Sequence, residues 1–244
     1  MGAASSLPKD KDVPEDLMDT TPCNSPITFQ EHWAPRKPVA EEHYLFLDVQ
    51  TTNDHMPQLL SLDAVMYTYT PPHTNDGRLE KGASMSAIIR PRRAYSVLSH
   101  MQDVRYHGIP AEVLGTQGQD AIEVVNELLA MIKQETGSPF THDHDKLVVV
   151  AHSVDGMMGN FTEAARIDET LYQVWNEIEA LCQQTHDTFD EALKVYPGRV
   201  NYTVEHLLAH LGRPLPANRA QAVADLYSAM QDGELAVTTM GEAR

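Results

Sequence analysis

Between residues 43 and 90 the apolar positions fall in short blocks of strand length. Tyr44-Leu45-Phe46-Leu47 is an apolar run closed by Asp48, the form of a buried strand that delivers a carboxylate to a sheet edge. Gln58 to Thr70, with Leu59, Leu60, Leu62, Ala64, Val65, Tyr67 and Tyr69, predicts a second strand. Pro71, Pro72, Asn75, Asp76 and Gly77 mark a hairpin loop, and Ala83 to Arg90 returns as a third strand. The period then changes. Asp120 to Gln134 places Ile122, Val125, Leu128, Leu129 and Ile132 at helical spacing, Thr136 to Asp145 reads as a loop, and Leu147-Val148-Val149-Val150-Ala151 reads as a central strand. Asn160 to Gln184, the stretch after Asp187, Val204 to Leu211 and Arg219 to Met230 all carry helical patterning. Three strands, a helix, a strand and then helices predict an α/β domain with a central mixed sheet flanked by helices.

That domain is expected over residues 43–232, with a tail over 233–244. Residues 1–42 are rich in Pro, Asp, Ser and Thr without a sustained apolar period, and read as an extended or disordered arm. The opening Met-Gly-Ala-Ala-Ser-Ser fits the spacing for N-myristoylation of Gly2, a short match that small residues after Met-Gly also produce without the modification. No apolar stretch has the ~20 residues of a membrane span, and the N-terminus lacks a secretory pattern, so a cytoplasmic location is expected. Cys23 and Cys182 suggest neither a disulfide framework nor a thiolate zinc site. The 35 acidic residues against 18 basic ones give a net charge of −17. Phosphate backbones are gripped by clustered Lys and Arg, so nucleic acid is an unwelcoming partner and a basic protein surface a more suitable one. The densest basic stretch holds Arg90, Arg92, Arg93 and Arg105; with Tyr95 and Tyr106 it offers nucleic acid a small patch.

Five segments in order resemble the DnaQ-like DEDDh 3′–5′ exonuclease family, which has a ribonuclease H-like fold. Phe46-Leu47-Asp48-Val49-Gln50-Thr51-Thr52 resembles its first motif, a strand ending in Asp-x-Glu-Thr-Thr. Val104-Arg105-Tyr106-His107-Gly108-Ile109 resembles its Val-His-Gly-Ile turn, and Val150-Ala151-His152-Ser153 the end of the strand that carries its His-Asn. Asp187 through Tyr196-Pro197-Gly198 resembles its Asp-Ser/Thr…Phe-Pro-Gly segment, and Arg219-Ala220-Gln221 through Tyr227-Ser228-Ala229-Met230 its last helix. The resemblance implies a site in which four carboxylates hold two divalent metals and a histidine acts as general base.

Carried over one position at a time, that inventory is mostly replaced. The first acid is Asp48. The second falls at Gln50, the third at Met157, the fourth at Arg219 and the general base at Pro214, with Asp155 as a possible substitute ligand two residues before Met157. A guanidinium in place of a carboxylate repels a divalent cation and can pair with Asp48 itself. The resemblance therefore implies a degenerate site with no catalytic residue, no cofactor, and Asp48 as a residual metal candidate. A non-catalytic binding or scaffold protein acting through protein partners is the expected function. The alternative is a weak, Mg²⁺- or Mn²⁺-dependent 3′–5′ exonuclease acting on single-stranded nucleic acid. His206 and His210 share a helical face but lack the glutamate of a His-Glu-x-x-His zinc site, and His142-Asp143-His144-Asp145 reads as a solvated loop.

Overall fold

The computed structural model describes residues 42–52, 56–70, 78–92, 108–137 and 146–241. The arm up to residue 41, the hairpin loop 71–77, and Arg93, Tyr95, Arg105, Tyr106, His142 and His144 lie outside these residues. Strands β1 (Glu42–Thr51), β2 (Leu59–Thr70), β3 (Arg78–Ile88), β4 (Lys146–Ala151) and β5 (Cys182–Asp187) form one sheet in the order β3-β2-β1-β4-β5. β1 and β3 run antiparallel to β2, whereas β4 runs parallel to β1 and β5 parallel to β4. The sheet is thus mixed, and β1 is hydrogen-bonded along both of its edges. The helices are α1 (Ala111–Gln117), α2 (Ala121–Thr136), α3 (Val154–Ala165), α4 (Glu169–Leu181), α5 (Thr188–Val195), α6 (Val204–His210) and α7 (Arg219–Gly241).

Side chains alternate across a strand, and here the alternation divides two helical layers. Leu45, Leu47, Leu147 and Val149 pack with Val124, Leu128 and Ile132 of α2, Phe161 of α3 and Trp175 of α4. Phe46, Val148 and Val150 pack on the opposite face with Ala192 of α5, Leu207 and Leu208 of α6, and Val223, Leu226 and Tyr227 of α7. Ala220, Ala222, Ala224 and Ala229 are buried along α7. On the first face, Trp175 stacks on Phe161 with ring centroids 3.8 Å apart, and its indole N–H donates to Thr162 Oγ1 at 2.9 Å.

Four segments depart from the sequence pattern. The single helix read over Asn160–Gln184 is two helices and a strand. Asp168 ends the first run because its carboxylate caps α4, accepting from the Thr170 and Leu171 amides. The Cys182-Gln183-Gln184-Thr185-His186-Asp187 strand has no apolar alternation to reveal it: β5 is an edge, with Gln183, Gln184 and Thr185 exposed, and its ladder with β4 defines it. β3 begins at Arg78 rather than Ala83, where pairing with β2 carries polar residues into the strand. α2 continues to Thr136, whose hydroxyl donates to the Ile132 carbonyl, and α7 runs through to Gly241, into the segment read as a tail.

Trp175 is fully buried and occupied on one face by Phe161. Trp175→Ala is expected to cost about 3–5 kcal/mol, the range for deleting a large core aromatic, and to leave Thr162 without its donor. Denaturant unfolding of the full chain measures this; a loss below about 1 kcal/mol would mean that the α2–α4 layer closes over the hole.

Candidate functional site

The alternation that buries Phe46 toward α5–α7 places Asp48 and Gln50 on that same face, at the C-terminal end of β1. Across the β1–β2 ladder Asp48 lies directly opposite Asp63, which is 7% exposed. Like charges in that position repel and need a shared cationic or N–H partner. The start of α7 supplies it. Asn218 accepts from the Gln221 amide, as a helix-capping side chain does, while its own amide donates to the Met85 carbonyl of β3 at 2.9 Å. So fixed, α7 points its first backbone N–H, that of Arg219, at Asp63 Oδ2 at 2.8 Å. The Ser86 hydroxyl also donates to Asp63.

The Arg219 side chain spans the remaining carboxylates. Its Nε donates to Asp48 Oδ2 at 3.1 Å and its Nη2 to Glu205 Oε1 of α6 at 3.0 Å. With the Gln50 amide oriented to satisfy both its ends, its oxygen accepts from Arg219 Nε at 3.2 Å and Nη1 at 3.3 Å, and its NH₂ donates to Ser61 Oγ at 3.1 Å. Burial lifts the Asp48 carboxyl above its ordinary value; Arg219 draws it down, and Asp63 and Glu205 push it up again. Arg219 is 40% exposed along its side chain against 22% for Asp48, so the clasp is open to water from one side.

The other positions singled out in the sequence scatter. Met157, in α3, is buried in the α2–α4 core, and Pro214 is exposed after α6. Asp155, also on α3, lines an open basin with His186, Asp187, Asp190, Glu191 and Lys194. Ser153 takes the left-handed conformation, φ 64°, at the turn out of β4, where Asp187 holds it: one carboxylate oxygen accepts from the Ser153 amide and the other from the Val154 amide. His152 is hydrogen-bonded to Thr188, and burial lowers its pKa. His206 bonds Asn201, and His210 packs edge-on to Tyr196. Arg92, of the basic stretch that the sequence offers as a small patch, joins the caps of α2 and α4 by pairing with Asp120 and Asp168. Among the described residues, no three His, Cys, Asp or Glu converge as a metal-holding group.

Asp63 and Glu205 are the two site residues that the sequence reading missed. Asp63 had a signal, a lone acid between Leu62 and Ala64 in an otherwise apolar strand, because a buried charge requires a partner. Glu205 had none that separates it from the other acids of the chain.

Solved structures similar to this one include exonuclease I chains. Escherichia coli exonuclease I in complex with a dT13 oligonucleotide superposes at a TM-score of 0.50 with 15% sequence identity, over 80% of this chain and 40% of that one. Exonuclease I from Methylocaldum szegediense gives 0.47 at 13% identity, over 78% and 40%. Product-bound exonuclease I gives 0.48 at 13%, over 76% and 42%. No family model and no curated protein matches the chain. The chain therefore has the α/β, ribonuclease H-like exonuclease fold, and spans about two fifths of the length of these structures. No helix among the described residues is long and apolar enough to cross a membrane.

The Asp48 shift has a definite sign. A carboxyl raised from its ordinary value of 3.8 favours the fold when protonated, so its contribution to stability is full below that value and is lost as pH rises through the folded pKa. Asp48→Asn is expected to gain stability relative to wild type on going from acid to neutral pH. Denaturant midpoints of both proteins across that window test it; a loss of Asp48→Asn stability relative to wild type toward neutral pH would show that Arg219 outweighs burial.

Proposed function

We propose that this chain is an exonuclease-fold protein without nuclease activity that acts by binding other proteins. The observation that carries this reading is the salt bridge from Arg219 Nε to Asp48 Oδ2. A pair of hard divalent cations needs several oxygen donors free to face them. Here Asp48 is engaged by a guanidinium, Gln50 contributes a neutral amide, Met157 a thioether packed in the core, and Pro214 no side-chain donor. Such a donor set does not fit the two-metal arrangement. No resident cofactor is expected. The −17 charge favours a basic protein surface as partner, at a cytoplasmic location, with binding that weakens as salt screens it.

A second reading, a weak metal-dependent 3′–5′ exonuclease acting on single-stranded nucleic acid, draws support from Glu205, an acid beside Asp48 that the sequence did not reveal. Mg²⁺ or Mn²⁺ would be its cofactor.

The deciding experiment is degradation of a labelled single-stranded oligonucleotide by the full chain in Mg²⁺ and in Mn²⁺, with Asp48→Ala as control for contaminating nuclease. No cleavage above that control is expected, and Arg219→Asp alone should not create any. Metal-dependent cleavage that vanishes in Asp48→Ala would overturn the proposal in favour of the second reading.

A further inference from the structure

β5 closes the sheet on one side, and its outer edge pairs with no strand among the described residues. A strand edge presents a row of N–H and C=O groups that another extended chain can take up. Successive side chains point to opposite faces, and Gln184 and Thr185 are both exposed, so neither helical layer folds over this edge. A bulge against β4 absorbs Gln183; over residues 184–187 the ladder is regular, with His186 packed edge-on to Tyr227 of α7. The middle of the strand, Gln184 and Thr185, carries none of the charges or prolines that blunt such edges. β3, on the opposite side of the sheet, is defended. Glu80 and Lys81 are exposed along it, and the Ile88 carbonyl at its end accepts from the Gln119 amide at 2.8 Å. At Asp187 the β5 edge runs into the open basin, where Asp155, Asp187, Asp190 and Glu191 face one lysine, Lys194. Asp187 is committed to the Ser153, Val154 and Phe189 amides, and Glu191 accepts from Gln231. Asp155 and Asp190 are exposed and best placed to meet an incoming cation.

We propose that β5 is the docking edge for a basic, extended segment of a partner protein, which adds as a further strand along residues 184–187 and sets Lys or Arg side chains in the basin. The edge makes the contact and the acids select its charge. An antiparallel ladder is the more stable of the two, so the basic residues of the segment precede its paired stretch and reach the basin beside Asp187. Four regular residues make a short ladder, and the charge complementarity supplies encounter rate and choice of partner. A second copy of this chain is a poorer occupant, because two chains of net charge −17 repel one another. The inference rests on the reading that the chain acts by binding other proteins, and names the place and the form of that binding.

The test screens the full chain against a library of capped peptides that begin Lys-Lys and continue with six positions drawn from Thr, Val, Ile, Tyr, Ser and Gln. Libraries beginning Glu-Glu, or carrying Lys-Lys at the C-terminus, are the controls. The tightest Lys-Lys peptide is expected to slow hydrogen exchange of amides within residues 184–187, and to bind about tenfold more weakly to the Asp155→Asn, Asp190→Asn double variant, whose two changes are exposed. N-methylation of alternate peptide amides is the second measurement, and leaves the protein unaltered. One alternate set should abolish binding and the other should not, because only every second N–H faces the paired edge. No binding from the Lys-Lys library, equal binding by either control, or indifference to both N-methyl sets overturns the proposal. Protection of the same amides that rises with protein concentration in the absence of peptide would assign the edge to a second copy, and also overturns it. Peptide binding with protection confined to other elements would sink the β5 assignment while the protein-binding reading stands; oligonucleotide cleavage by wild type would sink that reading and leave strand addition at β5 to be judged on the exchange data alone.

Discussion

A carboxylate at the end of a central strand is placed by the sheet whether or not a countercharge awaits it. β1 pairs with β2 on one edge and β4 on the other, so the apolar run that buries Leu45, Phe46 and Leu47 fixes where Asp48 must go. The same ladder sets Asp63 opposite it. Two acids facing each other on a half-buried surface have to be neutralised locally, and one residue does so with two different groups. Arg219 gives its backbone N–H to Asp63 and its side chain to Asp48 and Glu205. The placement of α7 against the sheet, and of α6 beside α7, follows from satisfying that pair.

Burial makes this an imperfect settlement. Asp48 remains displaced toward protonation even with Arg219 against it, because removing a carboxylate from water costs more than one partly solvated guanidinium restores. The clasp therefore acts chiefly on geometry: it sets the register of the α7 N-terminus, while the apolar contacts of Val223, Leu226 and Tyr227 with Phe46 and Val150 supply the attraction between helix and sheet. A similar division appears on the other face, where Arg92 ties the capping acids of α2 and α4 while Phe161 and Trp175 fill the interior.

Sequence patterning located the strands and helices whose side chains alternate or repeat against a core, and it failed where they do not. β1, β2, β4 and α2 are legible because each buries a regular set of apolar residues. β5 is not, since an exposed edge strand is defined by its hydrogen-bond ladder, which leaves little trace in side-chain type. At the site, the pairing of Arg219 with Asp48 was legible because the resemblance drawn from the sequence sets an arginine where it implies a carboxylate beside Asp48. Glu205 was not, because what distinguishes it is its approach to Arg219 across the gap between α6 and α7, a relation that exists only after both helices are docked. Asp63 lay between: its apolar surroundings announce a buried acid, but its partners come from β3 and α7.

A cation carried by the chain differs in kind from a dissolved one. An ion that binds only the folded state stabilises it by an amount that grows with the logarithm of its concentration once that exceeds its dissociation constant, so a fold neutralised by metals changes stability with the ionic conditions. The Arg219 guanidinium is present at every folded molecule, carried by the chain itself. A countercharge of this kind does not vary with the supply of divalent ions, and it joins β1 to α6 and α7. For a protein whose work is to present a constant surface to a partner, that constancy is an advantage; for one that must cycle metals and substrate through the same cleft, it is an obstruction.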